Sequence, residues 1–230
     1  QNMQILYDEK TKLFEQHDGF FDLPHLDIKS IPSSQFPLYS NWSYDRIYRN
    51  DMIKQPDVLM FMLMHSSDFS LAELEANFDY YEPRCIHESS LSPSVHSILA
   101  ATLGREEKAY ELFRFAIRMD LDNYNRNTDE GLHTTSIAGG WQNIVYGYGG
   151  LRFNSRSLSL SPTLPRQWES YRFSLKYQGR LIRIEVCRDG CSIYLEGEES
   201  LNVSVYGEAL LVTNKPIFIN RPERRSACGE

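Results

Sequence analysis

The spacing of apolar residues changes once along this chain of 230 residues, and that change restricts the fold more than any other feature. From about Asp51 to Tyr148, apolar residues recur every three to four positions, as they do in amphipathic helices. After the proline-containing stretch 161–165, the period becomes two, as in half-buried strands. We therefore expect a helical region followed by an antiparallel sheet or sandwich, with the boundary near residues 150–161.

Local signals predict where the helices begin and end. Ser70 and Glu73 form a capping-box pattern that opens a helix through Phe78. Ser92 is expected to cap a helix that has Pro93 in its first turn and ends at Gly104. The strongest amphipathic stripe follows over 105–119, so these two helices should form an antiparallel pair. Apolar helices are also expected over Val58–Met64 and Ile137–Tyr148.

The last third of the chain has the pattern of an antiparallel sheet. Apolar residues alternate with polar ones over Tyr171–Tyr177, and a second strand is predicted over Leu181–Val186. Asp189-Gly190 is a strong hairpin signal directly after that strand. Short strands are further predicted over 193–195, 203–206, 209–212 and 217–219.

Composition and charge exclude several classes of protein. The formal net charge is −7 with no basic stripe, so we expect no nucleic-acid partner. The most apolar run, Val58–Met64, is far shorter than the roughly 20 residues needed to cross a bilayer, and the first residues lack a signal-peptide pattern. We therefore expect a cytoplasmic protein without a membrane partner. The four cysteines lack zinc-site spacing and are expected to be free thiols, with a Cys187–Cys191 disulfide as the alternative.

Four polar clusters are candidates for chemistry. Lys54 and Gln55 begin a predicted helix and either present a cation and an amide to sugar hydroxyls or form a solvated cap. Ser89 and Ser90 precede another helix and either hold an anion or contribute to its cap. The segment 16–22, rich in His, Asp and aromatic residues, either lines a sugar site or packs on its own aromatics.

The fourth cluster combines a histidine with three successive hydroxyl residues. His133, Thr134 and Thr135 are followed by Ser136 and a predicted helix. Such a helix start suits an oxyanion or phosphate, although an ordinary capped turn would have the same composition. The lysine of a P-loop is missing, and the chain contains no GxSxG, HExxH or GxGxxG motif.

Taken in order, these segments resemble the C-terminal part of glycoside hydrolase family 65, which contains maltose, trehalose and kojibiose phosphorylases. The resemblance implies an α+β multidomain protein, in which residues 1–155 would be the C-terminal part of an (α/α)6 barrel and 156–222 a small antiparallel β-sheet or sandwich domain. From the sequence itself, residues 223–230 are expected to be a disordered tail. An incomplete barrel would account for helices that are apolar nearly all round. The matching segments are Phe14–Phe20, Lys54–Val58, His87–Ser97, Gly131–Ser136, Val145–Arg152 and Leu164–Trp168.

The resemblance also implies inverting phosphorolysis of an α-glucoside, with a disaccharide and phosphate as partners. Lys54 and Gln55 would contact the sugar. Inorganic phosphate would be a co-substrate, with no cofactor and no metal. The phosphate would be held by His133, Thr134 and Thr135, together with Ser89 and Ser90.

The general acid of the family lies before the Lys-Gln segment, and residues 1–50 contain no counterpart. We therefore expect this polypeptide to be inactive alone and to associate with the missing N-terminal half or with itself. Two alternatives stay open. One is a non-catalytic binding or interaction module. The other is a fragment of a family member that hydrolyses α-glucosides, for which Glu130 is a nearby carboxylate without a special warrant.

Overall fold

The structure, a computed structural model, describes residues 5–124, 126, 128–153 and 157–222. The chain divides into two compact units, Gln1–Asn143 and Ile144–Glu230. The domain limits expected from the sequence, 1–155 and 156–222, stay a prediction. The tail expected over 223–230 lies outside the described residues.

The first unit is mainly helical. It begins with a two-stranded antiparallel hairpin, β1 (Tyr7–Asp8) and β2 (Leu13–Phe14). Its α-helices are α1 (Leu38–Asn41), α2 (Tyr44–Tyr48), α3 (Asp57–Met64), α4 (Leu71–Tyr81), α5 (Ser92–Thr102), α6 (Glu106–Arg118) and α7 (Thr134–Gln142). Short 3-10 helices cover Phe20–Asp22, Ile28–Ser30, Ser33–Gln35, Glu82–Arg84 and Thr128–Glu130.

The helix boundaries confirm one predicted cap and correct another. Ser70 and Glu73 form the full capping box at the start of α4, which continues three residues beyond Phe78 to Tyr81. Ser92, by contrast, does not cap α5, because Leu91 before it already has a helical conformation and occupies the cap position. The hydroxyl of Ser92 instead donates to the carbonyl of Ser89.

Helix α7 packs closely against α5 and α6. A Cβ atom on Gly139 would lie 2.2 Å from Ser94 Oγ of α5, and one on Gly140 would lie 2.7 Å from Ile117 Cγ2 of α6. A side chain at either position would collide with these side-chain atoms, so glycine permits the α7 backbone to lie against them. The helix begins at Thr134, three residues earlier than predicted, and a π-helical segment, Asn143–Tyr148, follows it. The wider π turn breaks the 3.6-residue period on which the predicted helix 137–148 rested.

Two clusters of apolar side chains form the core of the first unit. The larger joins α3, α4 and α5 through residues such as Leu59, Phe78 and Leu99, and the smaller surrounds Leu38 and Ile47. The helical character agrees with the family expectation, whereas the closed (α/α)6 barrel stays a prediction. None of the helices in the described part of the chain has the length and apolarity needed to span a bilayer.

The second unit contains two four-stranded sheets. One is antiparallel in the order β10-β7-β6-β5, and the other has the order β3-β4-β8-β9 with a parallel pair, β4 and β8. The strands are β3 (Arg152–Phe153), β4 (Leu158–Leu160), β5 (Ser170–Tyr177), β6 (Arg180–Cys187), β7 (Gly190–Glu196), β8 (Leu201–Val205), β9 (Glu208–Val212) and β10 (Ile217–Asn220). The predicted hairpin is confirmed, since Val186 pairs with Cys191 across it.

Aliphatic side chains from both sheets form one core in the second unit, including Ile184, Ile193 and Val203. The alternation that predicted the strands therefore separates this core from the outer faces. Cys85, Cys187 and Cys191 are free thiols, as expected, while Cys228 lies outside the described residues.

Candidate functional site

Two chain segments of the first unit, 50–55 and 84–91, lie side by side. The amide of Ile53 donates to the carbonyl of Arg84 over 2.9 Å, and the amide of Ile86 donates to the carbonyl of Ile53 over 3.0 Å. This single parallel bridge holds the start of α3 next to the turn before α5. Residues more than 30 positions apart in the sequence thereby lie next to each other.

The first two candidate clusters meet at this bridge. The Ser89 hydroxyl donates to Gln55 Oε1 over 2.8 Å and accepts the amide of Leu91 at 3.2 Å. Gln55 is exposed and Ser89 is buried, so the bond lies at the boundary between solvent and core. Half-buried Lys54 places its Nζ atom 5.2 Å from the ring centre of Tyr39. Ser90 follows Ser89 in the chain and is half-buried.

A buried carboxylate between these residues was not predicted from the sequence. Glu88 is only 5% exposed and accepts backbone hydrogen bonds from Leu38 and Tyr39 at the start of α1. The Glu88 side chain therefore fastens the start of α1 to the segment that carries the serine pair. No sequence motif predicts this role, because a single glutamate before two serines is not a recognisable pattern for a buried carboxylate.

Beside Glu88 the structure has a cavity of about 280 Å³. Tyr124 lines it, and burial together with the negative charge of Glu88 raises the pKa of the Tyr124 phenol. Arg126 adds a cationic side chain to the same cavity. The cavity therefore brings the segment after α6 to the carboxylate beside Ser89.

The fourth cluster is anchored to the end of α6. His133 Nδ1 lies 2.5 Å from Asp120 Oδ1, and the backbone amide of His133 donates to Asp120 Oδ2 over 2.9 Å. These hydrogen bonds lower the pKa of Asp120. A carboxylate only accepts, so the bond requires the proton on Nδ1 and leaves Nε2 as the other functional atom of the ring.

The three successive hydroxyl residues at the start of α7 divide into two kinds. Thr134 and Thr135 are exposed, whereas Ser136 is buried and donates to the carbonyl of Ala116 over 2.8 Å. Within the described residues, no hydrogen bond joins His133, Thr134 or Thr135 to the serine pair. The structure thus joins Gln55 and Ser89 by a hydrogen bond, with Lys54 next to Gln55 in the chain, and holds the histidine cluster separately.

The remaining candidate segment, 16–22, packs mainly within the first unit. Gln16 Nε2 donates to Asp57 Oδ2 over 2.6 Å, and the His17 ring lies edge-on to Phe20. Asp57 is the first residue of α3, so this segment supports the helix that begins just after Gln55. In the described part of the chain, no three His, Cys, Asp or Glu side chains are grouped closely enough to hold a metal ion.

Two family models match the chain in succession. Residues 1–142 match the glycosyl hydrolase family 65 central catalytic domain. The chain belongs to glycoside hydrolase family 65. Residues 151–212 match the C-terminal domain of the same family, which corresponds to most of the second unit.

Several family 65 proteins are similar to nearly the whole chain. The maltose phosphorylase of Bacillus subtilis (strain 168) is 42% identical over 215 residues, which cover 94% of this chain and 28% of that protein. The alpha,alpha-trehalose phosphorylase of Thermoanaerobacter brockii is 38% identical, covering 92% and 27%. The kojibiose phosphorylase of Halothermothrix orenii (strain H 168 / OCM 544 / DSM 9562) is 36% identical, covering 93% and 28%.

A solved family structure from the human microbiome, provisionally named a kojibiose phosphorylase, superposes with a TM-score of 0.91 at 50% identity. The match covers 96% of this chain and 33% of that one. The chain therefore spans about a third of the solved relative and somewhat less of the three curated ones. It corresponds to the C-terminal portion of the family.

Proposed function

We propose that the chain is the C-terminal portion of an inverting α-glucoside phosphorylase and carries part of its sugar and phosphate sites. The observation that carries the proposal is the Ser89–Gln55 hydrogen bond, because it joins a residue expected to touch sugar to one expected to touch phosphate. The names of the relatives support the same chemistry, since they include maltose, trehalose and kojibiose phosphorylases.

On the sugar side, Lys54 and Gln55 supply hydrogen-bond donors. The amide oxygen of Gln55 is already used by Ser89, which leaves its Nε2 hydrogens for a sugar hydroxyl. The ammonium group of Lys54 supplies three further donors beside the Tyr39 ring. Both residues precede α3 and are held by the bridge at Ile53, so they are positioned by backbone rather than by a mobile loop.

On the phosphate side, hydroxyl groups and one imidazole would share the anion. Ser89 and Ser90 precede α5, while Thr134 and Thr135 begin α7 with His133 before them. The Ser89 hydroxyl has one proton, which it gives to Gln55 in the ligand-free chain. If phosphate accepts this proton instead, Gln55 loses a partner, and phosphate binding is coupled to the residue that contacts sugar.

In the proposed reaction, a phosphate oxygen attacks the anomeric carbon opposite the leaving oxygen. The glycosidic bond breaks, and a general acid protonates the departing sugar, giving β-glucose 1-phosphate and a free sugar. Phosphate thus replaces the second carboxylate of an inverting hydrolase, and no cofactor is needed. We place the general acid outside this chain. Loss of such a group typically lowers the rate by about 10²–10⁴, so the chain alone should be inactive.

The hydrolytic alternative needs a carboxylate that can activate water near the serines. The buried carboxylate found there, Glu88, is occupied by two backbone amides and does not suit that role. The side chain of Glu130 lies outside the described residues. Phosphorolysis is therefore the function that we favour.

The rest of a family 65 protein is the partner that we propose for the first unit. Apolar side chains near the start of α7 are open to solvent, with Leu132 65% and Ile137 57% exposed. Such surface usually marks an interaction site. Self-association through the same surface is the alternative, and sedimentation of the chain with and without the N-terminal portion of a relative would distinguish the two.

The function is tested by separating binding from turnover. Inorganic phosphate titrated into the ¹⁵N-labelled chain should shift the amides of Ser89, Ser90, Thr134 and Thr135, and Ser89→Ala should weaken the shifts while Ser40→Ala, an exposed control, should not. Incubation with maltose, kojibiose or trehalose plus phosphate should yield no glucose 1-phosphate. Formation of glucose 1-phosphate by this chain would refute the proposal that its general acid lies outside the chain. Amide resonances that do not shift on addition of phosphate would refute the proposed phosphate site.

A further inference from the structure

We propose that Asp51 and Arg84 are positioning residues: their buried ion pair sets the distance between Gln55 and Ser89 and thereby the ligand affinity of the site. Arg84 Nε donates to Asp51 Oδ2 over 2.7 Å, with side chains 18% and 4% exposed. The inference rests on the proposed function, because it concerns the same site.

The pair lies in line with the contacts that hold the site together. Asp51, Ile53 and Gln55 alternate along one segment, and each contacts the neighbouring segment 84–89. Asp51 binds the Arg84 side chain, Ile53 bonds to the backbone on both sides of Cys85, and Gln55 accepts from Ser89. The first and last of these links join side chains, and the middle one joins backbone atoms. The Asp51–Arg84 ion pair therefore holds the two segments together at one end, and the Gln55–Ser89 hydrogen bond holds them at the other.

Each partner is also tied to a different part of the first unit. Asp51 accepts the amide of Leu26 at 3.1 Å and lies 2.8 Å from Nδ1 of His25. Arg84 donates to the carbonyl of Tyr80 over 2.7 Å and stacks on the Tyr80 ring at 3.8 Å. The pair therefore connects the loop at 24–26 and the end of α4 to the two segments of the site.

The charge state of the pair is consistent with a fixed structural role. Burial alone would raise the pKa of Asp51, but hydrogen bonds from His25, Leu26 and Arg84 hold it below its usual value. Removing either partner leaves a buried charge without compensation, which disturbs its surroundings more than loss of a surface pair does.

The chain offers a matched control in Arg105, which pairs with Asp79 and Glu75 and also joins separate helices. In the described part of the chain, no hydrogen bond or ion pair joins these three residues to Lys54, Gln55 or the serines. Arg105→Gln should therefore cost stability without altering the site.

The experiment compares Asp51→Asn, Arg84→Lys and Arg105→Gln in the full 230-residue chain. In the ligand-free state, ¹⁵N spectra should show the Gln55 side-chain amide and the Ser89 and Leu91 backbone amides shifted in the first two variants but not in the third. Titration with inorganic phosphate should show affinity reduced at least tenfold in Asp51→Asn, a smaller loss in Arg84→Lys, which keeps the charge, and no loss in Arg105→Gln.

Unmoved Gln55 and Ser89 resonances in a folded Asp51→Asn variant would overturn the inference, as would an equal loss of affinity in Arg105→Gln. If wild-type chain binds no phosphate, the proposed function fails, and the resonances alone still decide the positioning role. If Asp51→Asn does not fold, Arg84→Lys carries the same comparison.

Discussion

Two neighbouring histidines, His96 fully buried and His87 partly buried, should make the first unit sensitive to acid. His96 on α5 is fully buried, and the His87 ring packs against it with ring centres 4.8 Å apart. Within the described part of the chain, neither ring nitrogen of His96 has a hydrogen-bond partner. Burial, reinforced by the charge of Lys108, lowers the pKa of His87 to about 4, and burial lowers the pKa of His96 well below its usual value.

The sign follows from the protons that each state binds. Near pH 5 the unfolded chain protonates both rings, whose unperturbed pKa is about 6.5, while the folded chain keeps them neutral. The free energy of unfolding therefore falls as the pH drops below about 6.5. Each histidine contributes about 1.4 kcal/mol per pH unit, and the contribution of His87 levels off near pH 4 after a total of about 3 kcal/mol.

Urea denaturation followed by circular dichroism at 222 nm, which reports chiefly on the helical unit, measures this dependence between pH 7.5 and 4.5. His96→Gln should reduce the slope of unfolding free energy against pH by about 1.4 kcal/mol per unit between pH 6 and 4.5. His65→Gln is the control, because the His65 side chain is 54% exposed. A stability difference between wild type and His96→Gln that does not change with pH would refute the reasoning, as would an equal effect of His65→Gln.

Two further substitutions test local features of the first unit. Ser70→Ala removes the acceptor for the amide of Glu73 and should destabilise the unit by about 1 kcal/mol in urea denaturation, with exposed Ser40→Ala as the neutral comparison. Gly139→Ala forces a methyl group against Ser94 and should cost about 1–3 kcal/mol, lowering the thermal midpoint, whereas Ala138→Ser on the exposed side of α7 should change little. Equal midpoints for Gly139→Ala and Ala138→Ser would contradict the close packing of α7.

Much of the fold could be predicted because its signals are local. The capping box at Ser70 and the hairpin at Asp189-Gly190 each need only a few neighbouring residues, and both are confirmed. The cap predicted at Ser92 is wrong because Leu91 is already helical and its amide is bound by the Ser89 hydroxyl, which shifts the start of the helix by one residue. The π-helical segment after α7 likewise lacks a signature in a periodicity based on 3.6 residues.

Residue types and the family resemblance single out Lys54, Gln55 and Ser89 as site candidates, and their roles stay a prediction. The hydrogen bond between Gln55 and Ser89 spans 34 positions, which no local pattern reports. Glu88 and the Asp51–Arg84 pair were missed for a related reason. Their role depends on burial and on partners from distant loops, and a single acidic or basic residue predicts neither.

The two glycines of α7 have a consequence for how a protein with this architecture can change. Because Gly139 and Gly140 lie directly against the side chains of Ser94 and Ile117, a shift of the helix along its axis would bring larger residues against those side chains. Thr134 and Thr135, about one and a half turns earlier in the same helix, are therefore also held at a fixed position along its axis. Insertions or deletions between α6 and α7 would therefore change the surroundings of the proposed phosphate site while Thr134 and Thr135 keep their positions.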